Sequence, residues 1–434
     1  MRRPCAKSFR LVAMTAASAA VAACGLSSAG TGNTLLAGPT GQPITIGISE
    51  PLGGSPTSDP FIGDGQACKI GYQLWAADVN SHGGLLGRPV RLKFLDDKGQ
   101  PNIAVANYRT LISQDKVNLV LAPFSSLLTV AVAPEVDKLH YALVAGSASS
   151  PKVYALGQYS LFSTNLPVVK QMVPFAQWVA RLPAGKRPLT AAYPMVQDPF
   201  ADPPVLSAQG ILQAAGVKTV YPPGQGYLDV KPKALAADAK AVASKGAQMV
   251  VLGSVDVPTV QAFIQQFIAQ HYTPKIFIAA AGPDQGQDFI NAIGGPGNAL
   301  GIMVPNGWSG TFANALSHVM VQEYIAKYGG TADAINADVA ESYSAGEVLG
   351  AAVKATQSLN QQQLIGWLHG PSRTVQTVLG PVAFSKDGEN TQAIHFAAIF
   401  QWLAGAGGTG ARFVQVLGPG SVQQPLAVKP AWSG

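Results

Sequence analysis

The fold class this sequence predicts is α/β, with parallel sheets flanked by helices. Three observations predict it. Short apolar runs rich in strand formers alternate with stretches of helical apolar spacing from Ile44 to beyond Val339. Most runs end in loops of Gly, Ser, Pro and Asp, drawn from the 47 glycines and 32 prolines of the chain. At 434 residues, 47% apolar and 12% charged, the chain is long enough for two domains with separate cores. Such alternation builds parallel sheets joined by right-handed crossovers.

The N-terminus reads as processing signal rather than fold. Arg2, Arg3, Lys7 and Arg10 precede an apolar, alanine-rich run from Leu11 to Ala23, which is the layout of a signal peptide over residues 1–23. The run is too short for a membrane span of about 20 apolar residues. It ends in Val21-Ala22-Ala23-Cys24, which resembles the bacterial lipobox. Lipidation of Cys24 is one expectation; ordinary cleavage leaving a spare thiol is the other. Residues 24–43, dominated by Ser, Gly, Thr and Pro, read as a flexible tether. The formal charge of +6 falls once residues 1–23 are removed, leaving 25 basic against 23 acidic residues, or +2. With no basic run or basic-aromatic patch, a nucleic-acid partner is not expected. Cys68 stands alone in a helical stretch and reads as a buried thiol.

Taken in order, Ile44 to Ile48 is a first strand, and Gly65 to Asn80 a helix stopped by His82-Gly83-Gly84. Val90 to Leu95 is a second strand, followed by a helix from Pro101 to Gln114. Val117 to Leu121 is a third strand, and Ser125-Ser126 open a helix through Leu128, Val132 and Val136. Tyr141 to Val144 is a fourth strand breaking into Gly146-Ser147-Ala148-Ser149-Ser150. Two small polar loops therefore fall at the carboxyl ends of neighbouring strands, the edge where α/β sheets bind ligands. A helix starting at Ser125 or Ser126 also presents free N–H groups suited to an anion. The pattern then repeats: helices over 170–181, 203–215, 232–244 and 257–270 alternate with strands over 188–195, 217–221, 249–252 and 275–278. Long helical stretches over 312–328 and 339–357 precede a β-rich tail over 374–416.

The order of motifs resembles the solute-binding proteins of ABC importers, in the type I periplasmic-binding class, and most of all the leucine/isoleucine/valine-binding family. The residues that carry the resemblance are Asn80-Ser81-His82-Gly83-Gly84-Leu85-Leu86-Gly87-Arg88-Pro89-Val90, then Asp96-Asp97, then Pro123-Phe124-Ser125-Ser126 through Ala133-Pro134. It extends from Ile44 to about Val416. It implies two Rossmann-like lobes joined by three hinge crossovers, near 163–166, 303–308 and 380–384, with ligand trapped on closure. Lobe one would take 44–163 and 307–380, lobe two 164–306 and 381–420, with 421–434 as a tail.

By the same resemblance, Ser125 or Ser126, with Ser147, Ala148 and Ser149, would meet the charged groups of an amino acid. The serines can also simply cap helices. Phe200 occupies the place of an aromatic that packs on ligand, and equally suits local core. Asp284 is the nearest candidate to pair with an α-ammonium, and equally suits a helix cap. Asp256 lies at the next strand end. Glu50 follows the first strand, as a cleft carboxylate or a solvated one. Trp308 and Tyr343 are cleft candidates that also suit packing.

Enzyme signatures do not appear. The sequence has no G-x-S-x-G elbow, no phosphate loop, and neither HExxH nor CxxC among its six dispersed histidines and three cysteines. Residues 295–301, a glycine-rich stretch, lack the spacing of a dinucleotide loop. The expected function is a monomeric lipoprotein that captures a small polar ligand, foremost a branched-chain or other small amino acid, and passes it to an ABC permease. No cofactor, metal or catalytic residue is expected. Short amides or urea are the alternative ligands, and a ligand-sensing subunit of a membrane receptor is the alternative role.

Overall fold

The computed structural model describes residues 39–54, 59–222, 227–229, 231–311, 314–370, 373–408, 410–418 and 428–432. The expected signal peptide, Cys24 and most of the tether and tail lie outside the described residues. Among those described, no helix is long and apolar enough to cross a membrane.

Strands β1 (Ile44–Glu50), β2 (Val90–Asp96), β3 (Leu119–Leu121), β4 (Leu143–Ala145) and β5 (Leu161–Ser163) form one sheet. Its order is β2-β1-β3-β4-β5, and every pairing is parallel. A second sheet contains β6 (Thr190–Ala192), β7 (Lys218–Tyr221), β8 (Met249–Leu252), β9 (Ile276–Ala279) and β10 (Ile302–Asn306). From β7 to β10 its order is β7-β6-β8-β9-β10, again all parallel. The strands are short and apolar because both faces are covered: β3, β4, β8 and β9 are buried at every position.

The second sheet departs from the expectation of purely parallel strands. After the small β11 (Val375–Thr377) and β12 (Gly380–Val382) ladder, β13 (Ala398–Ala404) pairs antiparallel with β10, and β14 (Ala411–Leu417) antiparallel with β13. β13 and β14 are joined by only six residues, and a short connection can link only antiparallel neighbours. Other boundaries move modestly. The stretch expected as one helix over 170–181 is two, Val168–Gln171 and Val173–Arg181, broken at Met172 just ahead of Pro174. The helix expected from 339 starts at Ala337, capped by the Asn336 side chain.

The five parallel strands of each sheet follow the same order, and both sheets reverse strand order beside their first strand, at β1/β3 and at β6/β8. Ligands of open α/β sheets bind at such reversals. The chain crosses between sheets after β5, after β10, and between β12 and β13. These passages lie together. Ser163 N–H donates to Gly388 O at 2.9 Å and the Asn390 amide donates to Thr164 O at 2.7 Å. Thr164, Gly307, Leu379 and Asn390 line one small cavity.

Helices Ile62–Ser81 and Ala337–Thr356 pack closely beside the first sheet. Gly71 lies against Val339 and Ser342, and Gly346 against the Trp75 ring, where an added Cβ would come within 2.1 Å and 2.4 Å of its neighbours. Residue 71 thus faces 339–342 and residue 75 faces 346–350, so the helices run in the same direction. Their N-terminal turns lie side by side, which sets Asp64 beside Asp338.

Candidate functional site

The carboxyl ends of the two sheets flank a narrow cleft. From the first sheet's side come Phe124, Ser125 and Ser147, with Asp64, Asp338 and Glu341 from the paired helices. From the second sheet's side come Phe200, Val255, Ala280, Ala281, Asp284, Gln285, Pro305 and Asn306. Asn165 and Gln171, at and just after the first crossover, complete the wall. Ser125 and Phe200 with Val255 stand at the two strand-order reversals.

On the first side, Ser125 precedes the helix Ser126–Lys138 with extended backbone and makes no side-chain cap. Its Oγ is buried and has no hydrogen-bond partner. The helix therefore offers its first N–H groups and an unsatisfied hydroxyl to the cleft, an arrangement that suits an oxygen anion. Ser126 Oγ accepts from the Ser149 and Ser150 N–H groups at 3.1 and 3.2 Å. It ties two loops together and does not line the cleft. Ser149 also stands outside the wall, with a buried, unpartnered Oγ. Ala148 packs into the core beside the first sheet. Ser147 does line the cleft, 3.5 Å from Asp338 Oδ1.

Glu50 is neither solvated nor in the wall. It is the last residue of β1, fully buried, and its Oε2 accepts from the Phe124 N–H at 3.0 Å. It props the ligand loop from behind. Burial, with the charges of Asp97 and Asp338 adding, pushes its carboxyl well above the usual range.

On the second side, Asp284 lies in the wall, in a turn where Oδ1 accepts from the Gly282 N–H at 2.9 Å and Oδ2 from the Asn306 amide at 3.3 Å. Burial lifts its pKa to about 6. Phe200 lines the cleft, its backbone N–H held by Asp198 Oδ1 at 2.7 Å. Asp256 does not line it. It caps the helix Val257–Ala269 through the Thr259 N–H at 2.7 Å and faces a larger outer groove. Trp308 is core, donating to Ser317 Oγ at 2.7 Å. Tyr343 is buried facing away, near Asp78, Glu347 and Glu323.

The acids that sequence reasoning passed over are Asp64, Asp338 and Glu341. Asp338 and Glu341 sit three apart on one helical face. Asn336 at the cap is the local sign that the helix begins early enough to bring both forward. Asp338 is pushed up to about 7 by burial and by Asp284. Asp64 and Glu341 are also raised well above the usual carboxylate range, first by burial and then by neighbouring carboxylates. Gln285 donates to Asp64, and the Asn165 amide to Glu341 Oε1 at 2.7 Å. Among the described residues no lysine or arginine lines the cleft.

Two similar sheets, three adjoining crossovers and a polar cleft between strand ends define a two-lobed binding protein. The sequence profile described as "Periplasmic binding protein" matches residues 43–408, and the chain belongs to that family, whose members work outside the cytoplasm. It is 28% identical to the Leu/Ile/Val-binding protein BraC3 of Rhizobium johnstonii over 121 residues, 28% of this chain and 31% of that relative. The match thus spans about a third of that relative's length. To the amino acid binding protein of Pseudomonas aeruginosa it is 22% identical over 355 residues, 80% of this chain and 87% of the relative. The structure of LivJ from Streptococcus pneumoniae in complex with isoleucine superposes with a TM-score of 0.70 at 18% identity, covering 86% of this chain and all of that one.

Proposed function

We propose that the protein captures an amino acid between its lobes and presents the closed form to an ABC permease. The observation that carries this reading is the pairing within one cleft of an anion site with carboxyl groups. The helix start at Ser125-Ser126, with its unpartnered hydroxyl, takes the carboxylate. Asp338, Glu341 and Asp284 accept from the ammonium. Both lobes contact such a ligand together only when closed, so ligand shifts the equilibrium towards closure. The names of the relatives put leucine, isoleucine and valine first among the ligands to test. Phe124, Phe200, Val255 and Pro305 provide apolar wall for a side chain.

Thermal-shift titration against amino acids, amides, sugars and nucleosides tests the reading. An amino acid is expected to raise the melting temperature, and Ser125→Leu to abolish that shift. A shift with amides alone would overturn it in favour of the amide or urea alternative. Membrane attachment through Cys24 belongs to the same proposal, supported by the sequence around that cysteine. Radiolabelled palmitate should enter the full chain and be lost in Cys24→Ala; retained label would move the lipid site elsewhere.

A further inference from the structure

The cleft holds more acceptors than an amino acid with an uncharged side chain can satisfy. Asp64, Asp284, Asp338 and Glu341 all line it. Among the described residues none of the four takes part in an ion pair. Asp338 shares hydrogen bonds with Asp64 and Glu341, and the partners outside the cluster are neutral: Gln285, Asn306 and Gly282, Ser147, and Asn165. A second, independent feature points the same way. Gln171 Oε1 lies in the wall, on a residue 5% exposed, and has no hydrogen-bond partner. It is an acceptor awaiting an N–H. Among the described residues no group of three or more acids, histidines or cysteines has the arrangement to hold a metal ion.

A zwitterion brings one ammonium, with three donors and no net charge. It answers the carboxyls nearest the anion site and leaves the others with only one another, each kept neutral by its proton, where a second cation would let them ionise and pair. Resting on the amino-acid reading above, the geometry points to a basic amino acid, a ligand with a second cationic nitrogen, as what the cleft is built to hold. Its carboxylate meets Ser125, its α-ammonium meets Asp338 and Glu341, and its side-chain cation reaches Asp284 and the Gln171 carbonyl oxygen across the cleft. The aliphatic stem lies between Phe124 and Phe200, whose faces also favour a cation.

Isothermal titration of the purified protein with arginine, lysine, ornithine, leucine, 1,4-diaminobutane and urea tests this. At least one basic amino acid is expected to bind tenfold or more tightly than leucine. Asp284→Asn should remove that preference, and Asp64→Asn should weaken it, each checked for folding by circular-dichroism melting. Leucine binding as tightly as the basic amino acids, or a preference unchanged in both variants, overturns the inference and leaves the amino-acid reading standing. Binding of the diamine alone upholds the second cation and overturns the amino acid. Binding of urea alone, or of nothing, overturns both.

Discussion

Ser125 and Ser126 are neighbours with opposite duties. The first leaves its hydroxyl free in the cleft, and the second spends its own on the Ser149 and Ser150 N–H groups. Sequence could place both at a helix start but could not divide the labour, because that depends on which loop approaches from β4. The acids show the same limit more strongly. Asp284 was legible from its position after a strand; Asp64 and Asp338 come from helices 274 residues apart in the chain, and only the packing of those helices joins them. Their shared burial has a pH signature. A carboxyl whose pKa is raised on folding binds its proton more tightly in the native state, so stability falls as pH rises from its unfolded value to its folded one. For Asp284 and Asp338 that window runs from about 4 in the unfolded chain to about 6 and about 7. With Asp64, Glu341 and Glu50 raised as well, the ligand-free protein is expected to melt on the order of 5 °C lower at pH 8 than at pH 5. Differential scanning calorimetry across that range reads it directly; a melting temperature that climbs with pH would contradict the protonated cluster.

The paired helices Ile62–Ser81 and Ala337–Thr356 carry three of the four cleft acids, and their closeness rests on small residues. Gly346 leaves room for Trp75, which is 1% exposed. A methyl there would stand 2.4 Å from Trp75 Cδ2, so Gly346→Ala should cost about 1–3 kcal/mol by overpacking, measured by urea unfolding, even though alanine favours helix. Equal or greater stability would mean that the helices separate freely. The alternation of strands and helices was readable because buried parallel strands and covering helices differ so plainly in period. The hairpin of β13 and β14 was readable only as β-rich, since its apolar pattern does not state which existing strand it joins. The helix pair was not readable at all: glycines inside a helical pattern suggest weakness until a ring is seen to fill the space.

At the scale of the whole molecule, the three chain passages between sheets adjoin, the first and third hydrogen-bonded to each other and all three lining one small cavity, and Asn165 lies among them. Its amide reaches Glu341 in the cleft, while Asn390 holds the adjoining Thr164 carbonyl. Asn165→Ala is therefore expected to weaken ligand at least tenfold while leaving the melting temperature of the empty protein within a few degrees. Small-angle scattering should show ligand contracting the wild-type protein and contracting the variant only at proportionally higher ligand concentration. An unchanged affinity would place Asn165 outside the recognition machinery. The interleaving of the lobes was not deducible from composition or period, since the second sheet takes β13 and β14 from beyond the helix Ala337–Thr356 that packs beside the first; only the resemblance of motif order suggested it.

The contact between Asn165 and Glu341 carries a consequence for how such a protein diversifies. On the proposed reading, the part that bends and the part that reads the cargo share an atom-to-atom link, as if the pivot of a pair of tongs were also one of its fingertips. A substitution at position 341 that changes preference also changes the forces at the pivot, and a substitution at the pivot also edits preference. Descendants with new cargo would inherit new resting angles, and an optical reporter placed across the passages would register what is held as well as whether the jaws have shut.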